Sequence, residues 1–205
     1  MVSEATLRAV ERHLTRREAR RTDLAERARQ LRRNAQVTMA RLHEGRNVAL
    51  AVESTRRELA ALGGWIRRNA PADAPLAHDA LQEGVEACLL YALSMDRRLP
   101  GPEELKVEPE AYLLGLADTV GEVRRIVLHD LSTGRIDEAE RRLLTLEALY
   151  RVLLRFETTR AIVPLKPKQD AARGILEKTR GEVTMARLLV RARLPIESPT
   201  DGGSR

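Results

Sequence analysis

Apolar residues recur at helical spacing along nearly the whole chain, and no stretch alternates with the period of a strand. From Ser3, a residue suited to capping a helix, the apolar positions run Leu7, Val10, Leu14, Leu24, Leu31, Ala35, Thr38 and Leu42, with no proline before Pro71. That pattern predicts one long first helix ending near Gly45. Val48, Val52, Leu59, Leu62 and Ile66 predict a second, interrupted or tightened at Gly63-Gly64, and residues 71–75 read as a short linker. A third helix over 76–95 carries Leu81, Val85, Cys88 and Ala92 on one stripe and is closed by Pro100, Gly101 and Pro102. Pro109 suits the first turn of a fourth, which continues through Leu113, Leu116, Val120, Val123 and Val127 to the stop at Ser132-Thr133-Gly134. A fifth covers 136–156, the stretch around Pro164 and Pro167 is expected to be extended, and a last helix covers 169–192. The expectation is an all-α bundle of six to seven helices in one domain over 1–194, with a disordered polar tail over 195–205.

Composition sharpens this picture. Only 2% of the residues are aromatic, so the core must be aliphatic and nucleic-acid bases would find few rings to stack on. The single cysteine, Cys88, allows no internal disulfide and no thiolate metal site, which fits a reducing, cytoplasmic setting. No run of apolar residues is long enough for a membrane span, and the amino terminus lacks the apolar core of a signal peptide. The net charge of +6 is unevenly spread. Residues 1–68 hold 16 arginines and 8 acids, residues 69–122 hold 3 basic and 11 acidic side chains, and residues 123–205 hold 17 and 11. Basic flanks around an acidic centre suit a protein that holds a polyanion and works on it with a metal-bridged carboxylate cluster. Solvated charge segregated without purpose would look the same.

Within the acidic centre, Glu83 and Glu86 stand at i, i+3 on one helix face that continues into Leu90 and Leu93. Asp118 and Glu122 form an i, i+4 pair on the next predicted helix, in line with Arg125 and His129, with Gly115 and Gly121 on either side of Asp118 allowing close approach of a helix or a substrate. If the two helices are neighbours, the four carboxylates can converge on one or two hard cations, Mg2+ or Mn2+, since oxygen-only ligands disfavour zinc. Each pair by itself is also what a solvated face or an arginine-paired surface looks like.

The segments LQEGVEA (81–87), EAYLLGLADTVGEVRRI (110–126) and STGRIDEAERRLLTLEALY (132–150), with RQLRR and ARLHEG in the first helix, resemble translin and translin-associated factor X over roughly 29–187, most of all their archaeal relatives. The resemblance implies a seven-helix fold of the translin type, assembled into an octameric, barrel-like particle that binds RNA or single-stranded DNA. In the factor X branch three acids support magnesium-dependent endoribonuclease activity, and they match Glu83, Glu86 and Asp118, a set that translin proper lacks. Glu122 matches the acid of the family's GE motif and is expected to support the metal. The implied function is a homo-octameric RNA-cleaving enzyme; a non-catalytic RNA- or DNA-binding protein like translin is one alternative. An all-α nucleoside triphosphate pyrophosphohydrolase, which also pairs an E-x-x-E helix with a second acidic helix, is another. Gly84 replaces an aromatic residue of the family and is expected to loosen its helix turn. Gln36 and Val37 replace lysines, which leaves Arg29, Arg33, Arg41, His43 and Arg46 as the candidate RNA contacts.

The remaining residues carry less. The arginines at 16, 17, 20, 21, 27, 29, 32 and 33 make a basic helix suited to an RNA channel or to a soluble exterior. His43 is expected to cap the first helix in preference to contacting phosphate or helping catalysis. His78 and His129 lack metal-ligand spacing, Cys88 falls on a core stripe, and Trp65 suits packing at a helix or subunit contact.

Overall fold

The computed structural model describes residues 2–157 and 162–193; the tail expected over 195–205 lies outside them. The described residues are helical, without a strand: α1 (Glu4–His43), α2 (Ala49–Asn69), a 3-10 helix (Pro71–Ala77), α3 (His78–Ser94), the single turn α4 (Pro102–Leu105), α5 (Pro109–Ser132), α6 (Ile136–Leu154) and α7 (Lys166–Arg193). The central pair is α3 and α5. On one side α3 packs against α1 and α2; on the other α5 packs against α6 and α7. The core between them is aliphatic, as the scarcity of rings requires. Leu24, Leu31, Leu59, Leu89, Leu90, Leu105, Leu146, Leu153, Leu165, Val85, Val120 and Val127 are fully buried, each worth about 1.5–3 kcal/mol of transfer free energy.

Local chemistry explains most boundaries. The Ser3 hydroxyl accepts from the Thr6 amide at 3.2 Å and starts α1, and Pro109 sits in the first turn of α5, where its missing N–H is not needed. In α4, Glu104 accepts from the Gly101 amide at 2.9 Å and from Arg98 at 2.7 and 2.8 Å, so Pro100-Gly101-Pro102 opens a new turn as well as closing α3.

Four expectations need correction. Residues 71–75 are no linker but part of the 3-10 helix, held because buried Asp73 accepts from Arg17 at 3.1 Å and Arg21 at 3.0 Å of α1. Those hydrogen bonds, Arg17's first, keep its carboxyl below the usual range. Helix α2 runs unbroken through Gly63-Gly64, and the Lys106 carbonyl oxygen lies 2.7 Å from where a Gly63 Cβ would stand, so Gly63 serves close approach. Helix α7 begins at Lys166, because a proline in the first turn costs no hydrogen bond and Pro167 is therefore accommodated. Gly84 does not loosen α3: a Cβ there would meet Leu59 Cδ1 at 3.0 Å and Leu31 Cδ1 at 3.2 Å, so its absence lets two core leucines close over the helix.

One apolar stripe has no core to join. No residue of α1 upstream of Leu24 is buried, and Leu7, Val10 and Leu14 are exposed although they keep helical spacing. Trp65 packs half-buried against the core with the Arg27 guanidinium 5.4 Å over its ring, and Cys88 is buried, its thiol pushed up to about 12 by desolvation. No described helix is long and apolar enough to cross a membrane.

Candidate active site

The site forms where α3 crosses α5. At Gly115 the helices approach so closely that an added Cβ would lie 2.8 Å from both the Gln82 carbonyl oxygen and Val85 Cβ. Gln82 and Val85 flank Glu83 and Glu86 in sequence, and Asp118 and Glu122 follow Gly115 by one and two turns, so this contact brings the two acidic pairs to one place. Gly121, the other expected point of approach, faces open space, which corrects half of that expectation.

Two further helices complete the surroundings. From α1, Arg32 Nε donates to Glu83 Oε1 at 2.6 Å and Gln36 Nε2 to Glu83 Oε2 at 3.0 Å, while His43 Nε2 meets Glu122 Oε2 in a short contact. Arg125 Nη1 stands 3.8 Å from the same Glu122 oxygen. From the first turn of α7, Lys168 Nζ donates to Asp118 Oδ1 in another short contact. His43 thus turns to a carboxylate of α5, not to the carbonyls of its own helix end, which corrects its expected capping role. The α1 terminus is closed instead by the Glu44 amide on the Ala40 carbonyl and the Gly45 amide on the Leu42 carbonyl, both at 3.1 Å.

Glu86 is the exception among the four acids. It is 8% exposed, and no hydrogen bond or ion pair reaches its carboxylate among the described residues. Burial first, then the charges of Asp118, Glu122 and Glu83, push its pKa up to about 8 against the opposing effect of Lys168. Its ionisation is thus disfavoured by burial and by the three neighbouring carboxylates. The convergence of all four acids on one ion is not the arrangement seen: among the described residues no three His, Cys, Asp or Glu side chains are close enough together to hold a metal. Three of the carboxylates have partners of their own instead: Glu83 has Arg32 and Gln36, Asp118 has Lys168, and Glu122 has His43. The donor chemistry nevertheless fits a hard cation, because the ligand atoms are carboxylate oxygens and the central one is buried, unpartnered and costly to ionise alone.

The basic helix is partly consumed by internal pairing. Arg17 and Arg21 hold Asp73, Arg27 holds Asp23 at 2.8 Å, and Arg32 holds Glu83. Of the candidate RNA contacts, Arg29, Arg33, Arg41 and Arg46 are all exposed; Arg33 donates to Gln30 at 2.6 Å and Arg46 pairs with Glu44 at 2.9 Å. Arg29, Arg33 and Gln36 follow one another at i, i+4 and i+7, so an exposed row of two arginines and a neutral amide leads along α1 to Glu83. Lys168 and the site roles of Arg32 and Gln36 are not legible in the sequence. Gln36 reads there as a missing lysine, and Lys168 falls in a segment expected to be extended.

No family model matches the chain. An uncharacterised protein of Methanocaldococcus jannaschii is 43% identical over 103 residues, which are 50% of this chain and 46% of that protein, so the match spans less than half of that relative's length. Among solved structures, apo-NeC3PO superposes with a TM-score of 0.79 over 91% of this chain and 98% of its own, at 23% identity, which speaks for the fold alone. AfC3PO superposes with a TM-score of 0.75 at 32% identity, over 93% of this chain and 100% of its own. Its complex with duplex RNA gives a TM-score of 0.75 at 30% identity over 92% and 98%. With that identity maintained across nearly the full length of both chains, and with an all-helical fold built around the α3–α5 crossing, this chain belongs to the translin and translin-associated factor X (C3PO-type) family.

Proposed function

We propose that the protein is a magnesium-dependent endoribonuclease that works as a cytoplasmic homo-octamer, with Glu83, Glu86 and Asp118 as the metal-holding and catalytic acids and Glu122 in support. The observation that carries this reading is Glu86, a buried and unpartnered carboxylate enclosed by the charges of three other acids at the crossing of two helices. Asp130, buried on the same helix as Asp118, has instead Arg135 and Arg142 at 2.8 and 2.7 Å. When bound, Mg2+, or Mn2+ in its place, would polarise the phosphodiester and lower the pKa of a water. Glu83, Glu86 and Asp118 would hold it, and Glu122, braced by His43, would keep the α5 side of the site in register. Attack by water on phosphorus opposite O3′, with departure of O3′, would leave a 5′-phosphate and a 3′-hydroxyl. Arg29, Arg33, Arg41, His43 and Arg46 would supply RNA contacts, and the structural relative solved with duplex RNA supports RNA as the polymer bound. Single-stranded DNA is a further ligand on this reading.

A labelled oligoribonucleotide and, separately, nucleoside triphosphates incubated with and without Mg2+ provide the test. RNA cleavage that needs Mg2+ and vanishes in E83Q and D118N, with RNA binding kept, is expected; full activity in either folded variant sinks the assignment. One observation favours a non-catalytic RNA-binding role as the second reading: Arg32 and Lys168 already pair with two of the four acids, and His43 hydrogen-bonds a third. That reading predicts salt-sensitive binding and no metal-dependent product.

A further inference from the structure

Asp118 is expected to bind a metal, yet one of its oxygens is taken by Lys168 Nζ from a different helix, 50 residues away in sequence. Lys168 is the third residue of α7, and its neighbours are committed elsewhere. Lys166 pairs with Asp170 of its own helix at 2.5 Å, and Arg124, behind the site on α5, is bound to Glu182 at 2.9 and 3.0 Å and to Thr179 at 2.6 Å. Among the described residues Lys168 is the only cation of α7 in contact with any of the four carboxylates. Its side chain is 31% exposed and Asp118's is 34%, so this pair is neither buried as a structural bridge nor fully solvated. An ammonium on a four-carbon stem is a mobile point charge, able to leave one anion for another without moving its helix.

We propose that Lys168 occupies the Asp118 carboxylate until a divalent cation arrives, and that the displaced ammonium then takes up a phosphate oxygen of the bound RNA. This rests on the ribonuclease reading above. A carboxylate oxygen cannot serve an ammonium and a doubly charged ion at full strength, and the ion wins by charge. With Glu83 held by Arg32, a doubly charged ion balances the charges of Glu86 and Asp118, so the freed ammonium is drawn to the phosphodiester held beside that ion. A lysine suits this step, since it binds phosphate as a point charge without demanding one geometry. Metal and RNA binding are thereby coupled through one side chain.

The test uses the full chain as wild type, K168M and K168R, with folding checked by circular dichroism. Mn2+ affinity is read by electron paramagnetic resonance without RNA, and KM for a labelled oligoribonucleotide is read at saturating Mg2+ over a range of salt. Loss of an ion pair about one-third exposed predicts Mn2+ binding about fivefold tighter in K168M, with K168R near wild type. KM should rise severalfold in K168M, its log–log dependence on salt should flatten by about one unit, and K168R should restore both. Unchanged Mn2+ affinity in K168M, with cleavage intact, overturns this inference and leaves the ribonuclease reading standing. Unchanged KM overturns the transfer of the ammonium to RNA. Tighter Mn2+ binding with no cleavage by any of the three proteins keeps the competition and sinks the ribonuclease reading, whereas a wild type that holds no Mn2+ overturns both.

Discussion

Replacing Glu86 by glutamine removes one ionisation from the centre of the acidic site and leaves its shape nearly unchanged. In the folded chain the Glu86 carboxyl has its pKa raised from 4.5 to about 8, by burial first and then by Asp118, Glu122 and Glu83. The folded state therefore binds more protons than the unfolded state between those two values. The group's stabilising contribution is complete below about pH 4.5 and is lost as pH rises through about 8. At about 1.4 kcal/mol per pH unit for one proton, the loss across the window is at most about 5 kcal/mol. E86Q has no such proton to lose, so its stability relative to wild type should climb from pH 5 to about pH 8 and level off above that. Urea denaturation at fixed pH steps, without divalent metal, reads this directly, and half the upper value is easily resolved. Parallel stability curves for the two proteins would refute the reasoning. A second measurement ties the proton to the metal. Mg2+ needs the ionised carboxylate, so calorimetry at pH 7 in buffers of different ionisation enthalpy should find close to one proton released per site in wild type and none from this source in E86Q.

Three other outcomes follow from the packing and the surface. G115A should cost about 1–3 kcal/mol in denaturation midpoint, because the new Cβ meets Gln82 O and Val85 Cβ at 2.8 Å, and it should weaken Mn2+ binding by moving α3 from α5. G121A, one turn and a half along the same helix and facing open space, should instead stabilise by up to about 1 kcal/mol. D130N should destabilise by about 1–3 kcal/mol in chemical denaturation, since Asp130 is 2% exposed and is the common partner of Arg135 and Arg142. Alanine at both Arg29 and Arg33, which are exposed, should leave thermal stability nearly unchanged while lowering the salt slope of RNA binding by about two; an unaltered slope would remove α1 from the RNA path.

Helix positions and types follow from local information. The recurrence of Leu, Val and Ile at three and four residues, a cap at Ser3 and prolines at helix starts each act within a few neighbours, so they can be read along the chain. In two of the places where reading along the chain failed, a distant group had decided the matter. Asp73 makes a helix of an apparent linker because Arg17 and Arg21 reach it from α1, and Gly63 lies under the Lys106 carbonyl. Conversely, Leu7, Val10 and Leu14 show that helical spacing predicts a helix without predicting that its apolar stripe is buried.

The acidic centre divides in the same way. Spacing within α3 and within α5 was enough to put Glu83 beside Glu86 and Asp118 near Glu122, and a family resemblance was enough to single them out. The sequence by itself determined an all-helical chain with an aliphatic core, basic flanks and two acidic pairs, because these depend on composition and on neighbours within a turn or two. Only the tertiary structure decided that the pairs meet at the Gly115 crossing, that Glu86 alone is buried without a partner, and that Arg32, Gln36, His43 and Lys168 attend the others. Those contacts join residues 47 to 79 positions apart, and no local pattern carries a charge pairing over that distance.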